Sequence, residues 1–369
     1  MIHLHSAQGV VLSVHKLPTG VEELEVDLGG RVERALNYPE LTGPAPVGCR
    51  VELNTTAVDL GLGSGGYHFV MAARSGCKKA LGSKAAPGHI MKLRYTPHQL
   101  RCLAVEEEAS PYHALLRDAD SLEGLAVVVA ELHSMVGPAA AGAQAVLGPE
   151  ACIVYIMTDA AALPMAFSRT VPVLKEKGLL AATITAGQAF GGDLEAVNIF
   201  TALLAAKWAL KADVAIVAMG PGVVGTGTRF GFSGVEQGQV VDAVNCLGGR
   251  PVAVLRLSAA DLRPRHRGVS HHTLTALGRV AQTRTTVALP CLTDVGFREL
   301  VGRQLDLAGI TARHHLVSAP GEPGLKVLER LGVKASSMGR CPADDPPFFL
   351  AAAAAGWVAG QLASGDKVR

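Results

Sequence analysis

Two stretches of the chain concentrate residue types that can do chemistry. In RPRHRGVSHHT (263–273), Arg263, Arg265 and Arg267 alternate just ahead of a predicted helix that Ser270 is placed to cap. Guanidinium groups grip carboxylates and phosphates through paired N–H bonds, and a helix start adds outward-pointing N–H groups. The pattern therefore reads as an anion clamp, with Arg265, Arg267 and Ser270 as ligand contacts. Arginines at a helix start oppose its dipole, an electrostatic cost that a bound anion would relieve. His271 and His272 follow directly. An unperturbed imidazole titrates near neutral pH, so either can serve as general acid or base. Neighbouring helical residues point about 100° apart, which argues against their sharing one metal ion.

The second stretch, VAIVAMGPGVVGTG (214–227), holds Gly-x-Gly-x-x-Gly at Gly220, Gly222 and Gly225. A dinucleotide fingerprint needs a strand before it, a helix opening inside it and an acid about 20 residues further on. The strand is present. Gly227, Gly231 and Gly234 interrupt the helix, and the next strand ends LRLS (255–258) without an acid. NAD and FAD are therefore not expected. A P-loop fails as well, because Thr226 rather than lysine follows Gly225. What remains is a glycine-rich loop from Gly220 to Gly234. Its backbone can approach a ligand closely, and its successive N–H groups suit an anion. Gly227 and the hydroxyls of Thr226 and Thr228 complete the expected contacts.

A divalent metal is compatible with His133, Asp159 and Asp193 joined by one of the paired histidines, a mixed set that suits zinc or manganese. Asp159 and Asp193 equally read as helix N-caps. As catalytic candidates, Asp193 or Asp159 would orient a water or a metal while His271 or His272 handles a proton. Glu131 and Ser134 share the strand end with His133, but no Gly-x-Ser-x-Gly surrounds Ser134. Cys291 reads as a bystander thiol.

The elements that must position these residues fall into two rhythms. Residues 1–115 show short alternating segments (GVVLSVHK, EELEVDL, RVERALNY, CRVELNTTAV, YHFVMA) punctuated by Gly and Pro, the pattern of a small β-barrel or β-sandwich. Residues 88–108 add up to two more strands. Residues 120–369 alternate apolar strands with helical stretches seven times, beginning AVVVAEL (126–132) and ending HHLVSAP (314–320). Near-continuous apolar strands belong to a parallel sheet covered on both faces. The expected fold is a doubly wound, mainly parallel α/β domain behind the β domain. In such sheets ligands bind beyond the C-terminal strand ends, where all the candidates above fall.

Composition narrows the partners. The chain of 369 residues is 49% apolar and 18% charged with a net charge of +2. No basic run is interleaved with aromatics, so nucleic acid is not expected. The seven cysteines form no CxxC pair, which fits reduced thiols in a cytoplasm. MIHLHSAQGVVLSVHK lacks the features of a signal peptide. FFLAAAAAGWVAGQLA (348–363) falls short of the ~20 residues of a membrane helix and reads as a buried one. A homodimer is the commonest assembly for such chains.

Four stretches, LNTTAVDLGLGSGGYHFV, AGQAFGGDLEAVNIFTAL, GPGVVGTGTRFGFSG and RHRGVSHHTLTALG, together resemble an uncharacterised bacterial family known only as a domain of unknown function. The resemblance runs from about Gly9 to the C-terminal helix. It implies that these stretches belong to one protein type, and it brings no substrate, cofactor or catalytic residue. The residues favour an enzyme of hydrolysis or group transfer that binds an anionic, phosphorylated small molecule. The alternative is a non-enzymatic ligand-binding or assembly protein that uses the β domain to dock.

Overall fold

The computed structural model describes residues 4–74 and 87–365. The chain divides into two compact units, Met1–Cys102 and Leu103–Arg369. In the first, β1 (Ser6–Lys16), β2 (Glu22–Asp27), β3 (Val32–Asn37), β4 (Arg50–Asn54) and β5 (His68–Arg74) close a barrel in the order β1-β2-β3-β5-β4. Period-two alternation builds it: Leu24 and Val26 turn inward while Glu25 between them is exposed. Val11, Val51, Leu53 and Val70 fill the same interior. The ring closes through the parallel pairing of β3 with β5. Two one-turn helices, α1 (Pro39–Thr42) and α2 (Thr56–Asp59), join strands, and β6 (Ile90–Lys92) pairs with β7 (Leu100–Cys102) as a separate ribbon. Between the expected barrel and sandwich, the chain forms the barrel.

The second unit opens with a short helix, α3 (His113–Leu116). Val105 and Leu116 already pack in its core, so it begins ahead of the boundary expected near residue 115. Its sheet has eight parallel strands: β8 (Ala126–Val129), β9 (Ile153–Thr158), β10 (Ala182–Ala186), β11 (Leu194–Ala196), β12 (Val214–Met219), β13 (Arg250–Ala253), β16 (Thr286–Pro290) and β17 (His315–Ala319). Their order is β11-β10-β9-β12-β8-β13-β16-β17. A two-strand ribbon, β14 (Leu257–Ser258) with β15 (Gly268–Val269), stands beyond the end of β13.

The seven expected strands are all present. The eighth, β11, occupies residues expected to open a helix. That helix, α6 (Ile199–Trp208), starts later because Asn198 caps it: its side chain accepts from Phe200 and Thr201 N–H, and Thr201 returns the bond.

Successive strand residues feed opposite cores, as a doubly wound sheet requires. Ile153, Tyr155 and Met157 of β9 join one core, and Val154 and Ile156 join the other. The first core is covered by α4 (Val136–Leu147), α5 (Thr170–Glu176), α11 (Glu322–Arg330) and α12 (Pro346–Ser364). The second is covered by α6, α7 (Glu236–Cys246), α9 (Val295–Leu307) and α10 (Ile310–Arg313). Helix α8 (His271–Thr275) runs into a single π-helical turn, Ala276–Val280. Among the described residues, α12 alone is long and apolar enough to cross a membrane, and 67% of its apolar window is buried inside the fold.

Candidate functional site

The neighbouring strands β8 and β12 lead into helices on opposite faces, α4 after β8 and α7 after β12. Such a divergence opens a crevice beyond the strand ends, the usual ligand position in an open α/β sheet. A cavity of ≈ 500 Å³ lies there. Leu132–Ser134 follow β8 into its wall, Gly220–Gly225 and Gly227 follow β12, and Arg256 enters just before β14. Arg169, Thr170, Arg263, Arg265, His266, His272 and residues 336–338 complete it.

Charge in this wall is one-sided. Four arginines line it, and among the described residues no Asp or Glu does. Two of the four have their counter-charges behind the wall. Arg256 Nη1 donates to Glu131 Oε1 at 2.8 Å, with Arg256 5% and Glu131 0% exposed. Arg263 grips Asp261 through Nε and Nη2 at 2.9 and 2.8 Å and holds that carboxyl far below the usual range. Arg169 and Arg265 are exposed at the rim.

His272 is buried, and its Nδ1 lies 2.5 Å from Glu131 Oε1. Burial works against the Glu131 charge, but the His272 hydrogen bond and the Arg256 charge overcome it and hold the carboxyl below its ordinary value. With Nδ1 directed at the carboxylate, Nε2 is the ring's outer nitrogen. That nitrogen faces Gly225, where an added Cβ would stand 3.2 Å away. His266 and His271 pack beside it, with ring centroids 5.1 and 4.4 Å from that of His272. Burial, aided by the charges of Arg256 and Arg263, pushes His266 down to about 3. Burial, aided by His272 and Arg265, pushes His271 down to about 4. Phe232 stacks flat on His272 at 4.0 Å.

The structure separates the other candidates. Gly220, Gly222, Gly225, Gly227, Arg265 and His272 share the cavity wall. The expected long open loop is instead a small hairpin, with Thr226 N–H donating to Gly231 O and Ser233 N–H to Val224 O. Thr226 and Thr228 spend their hydroxyls inside it, 2.9 Å apart, with Thr228 Oγ1 accepting from Gly231 N–H. Gly227 lies within its turn at φ +78°, and Gly222, just ahead of the hairpin, has φ +102°. Arg267 points away from the three-arginine clamp and lines a different cavity with Cys291 and Asp294. Ser270 caps α8 by accepting from His272 N–H, so it acts through its neighbours and does not line the wall.

The aspartates stand apart from the cavity, and neither caps a helix. Asp159 Oδ2 accepts from Gln188 N–H and braces the turn at Gly187 (φ +67°). Asp193 is held by Lys175 Nζ at 2.6 Å and by Thr183 N–H at 2.8 Å. The expected metal set is therefore dispersed. His133 lines the cavity, but Nδ1 faces the Tyr155 hydroxyl and Nε2 the Ser168 hydroxyl, and burial pushes it down to about 4. Cys77 lies outside the described residues; the other six cysteines form no disulfide among the described residues.

Arg256, His266 and the role of Glu131 are absent from the sequence reading. Arg256 sits inside the apolar run PVAVLRLS, and that position was itself a signal, because a buried strand end carries a charge only where a partner waits.

Fold and site together define a protein of two units: a five-stranded barrel, and a doubly wound α/β unit with an arginine- and histidine-walled cavity at the switch of its sheet. The chain belongs to the family described as "Protein of unknown function (DUF3866)", whose model matches residues 34–356. No curated protein matches it.

Proposed function

We propose that the α/β unit is an enzyme that binds an anionic, phosphorylated small molecule in the cavity beyond β8 and β12 and hydrolyses it or transfers a group from it. The observation that carries this reading is the wall itself: Arg169, Arg256, Arg263 and Arg265 surround ≈ 500 Å³ with no acidic side chain among the described lining residues. Guanidinium groups match phosphate geometry, and a recess with low-dielectric walls strengthens their field. The hairpin glycines let backbone come close to the ligand. The imidazole cluster at the wall is the place where a water or a hydroxyl would be activated.

Thermal unfolding with inorganic phosphate, pyrophosphate and ribose 5-phosphate tests the reading, since a ligand of the native state raises the melting temperature. At 100 times its Kd an anion adds about 2.7 kcal/mol to the wild type. R265E should lose most of that shift. A melting temperature that stays flat with all three anions rejects the reading.

A further inference from the structure

We infer that His266, His271 and His272 form a three-histidine site for a divalent transition metal, with zinc the best match, at the wall of the arginine-lined cavity. The inference deepens the function proposed above and rests on that reading only for the ion's use, not for its binding.

One ring nitrogen from each of the three histidines lies within 4.8 Å of the others. Two of the rings are already anchored by the nitrogen that an ion would not use. His272 Nδ1 is held by the Glu131 carboxylate at 2.5 Å. His266 Nδ1 is 2.8 Å from Ser270 Oγ, whose oxygen accepts from His272 N–H, so Nδ1 donates to it when Nε2 binds an ion. Metal-bound histidines almost always have such a partner on the far nitrogen, because it fixes the tautomer and makes the ring a better donor. Both anchored rings therefore leave Nε2 for an ion.

His271 supplies an independent sign. Its Nε2 is buried and has no hydrogen-bond partner among the described residues. A buried polar atom left unpaired is costly and calls for an explanation. An ion between the three rings provides one. Phe232 limits the rings' freedom, flat against His272 at 4.0 Å and edge-on to His271 at 5.9 Å. The 100° divergence of neighbouring helical residues does not keep the two apart, since their ring centroids are 4.4 Å apart.

A tetrahedral shell with bonds of about 2.0–2.1 Å sets its nitrogens about 3.4 Å apart, so loading draws the rings together by up to about 1.4 Å. Three imidazoles select zinc, and three protein ligands leave a fourth position for water or a substrate oxygen. His266 and His272 both line the cavity, which places that position on the anion's side. The nearby arginines oppose a dication, although Glu131 offsets Arg256. A bound anion would add negative charge beside the ion, so anion and metal should strengthen each other's binding, and by linkage equally in both directions.

The test uses the full chain, stripped with a chelator and dialysed. Zinc is titrated calorimetrically, and cobalt is titrated by its visible absorption. The expected result is one equivalent of zinc and an intense tetrahedral cobalt spectrum. H271A should weaken zinc at least about 100-fold while its circular dichroism is unchanged, and H271C, which restores a ligand atom, should recover binding. H266Q should also lose the cobalt spectrum. No saturable zinc binding, or full affinity retained in H271A, overturns the site. Phosphate melting shifts on the metal-free chain separate the two readings: shifts without metal binding reject only the ion, and metal binding without shifts rejects only the anion cavity.

Discussion

His272 Nδ1 meets Glu131 Oε1 at 2.5 Å across 141 positions of sequence, and the same oxygen accepts from Arg256 Nη1. One carboxylate thus serves a cation and an imidazole inside the fold. E131Q would leave the Arg256 charge buried without a counter-charge, a loss of about 3–5 kcal/mol. The double variant E131Q/R256M should be less destabilised than the sum of its single changes, because it removes both members of the pair. Urea unfolding of the four proteins gives the cycle directly. Additive losses would show that the two groups do not depend on each other.

Two groups should tilt the pH dependence of stability in opposite directions. His133 titrates near 4 in the native state against about 6.5 when unfolded. Between these values the unfolded chain holds a proton that the native state refuses, so this contribution is lost as pH falls from about 6.5 to 4, by about 3 kcal/mol. Burial pushes Glu236 up to about 7, against about 4.3 when unfolded. Here the native state holds the extra proton, and stability declines as pH rises between those values. Melting profiles from pH 4 to 8 should therefore lose part of their acid-side fall in H133Q and part of their decline toward neutrality in E236Q. Parallel profiles for the wild type and both variants would refute these assignments.

Helices α4 and α12 pack with their backbones nearly touching. A Cβ on Gly356 would stand 1.8 Å from Ala139 O, and one on Gly142 would stand 2.0 Å from Ala353 O. G356A and G142A should each reach or exceed the upper end of the about 1–3 kcal/mol that overpacking typically costs. Chemical denaturation measures this. A loss under 1 kcal/mol would mean that the helices separate easily.

Gly225 is a different kind of position, with open hairpin backbone and His272 Nε2 as the nearest atom to an added Cβ, at 3.2 Å. G225A should barely change the melting temperature and should weaken whatever the cavity holds about tenfold, less than the about 100-fold of a full 1 Å misplacement. Phosphate and zinc titrations of the variant read both effects. Unchanged affinity for each would move the working face away from His272.

The β/α rhythm was legible because apolar runs and glycine breaks are local, and every expected strand is present. Leu194–Ala196 was misread because three residues carry too little pattern to separate an edge strand from the helix behind it. The Gly220–Gly234 stretch follows β12 at the C-terminal edge of the sheet, as its position in the rhythm indicates, but its inner hydrogen bonds depend on how Thr226, Thr228 and Gly231 fold back. Arg265 and His272 were visible from their types. Arg256 was not, nor was its pairing with Glu131, since only the parallel alignment of β8 with β13 brings their strand ends together. The dispersal of Asp159, Asp193 and His133 has the same origin, because each finds a nearer structural partner that spacing cannot show.

Helix α12 packs against α4, β8 and β16 in the middle of the first core, with Phe348, Phe349 and Val358 almost fully buried. Every strand of the sheet precedes it in the chain. A ribosome therefore completes all eight strands while one apolar face of the sheet still lacks the last and longest of its four covering helices. Until residue 364 has emerged, that face is open to chaperones and to neighbouring nascent chains, so the α/β unit must finish folding late, whereas the barrel holds all its strands within the first 74 residues.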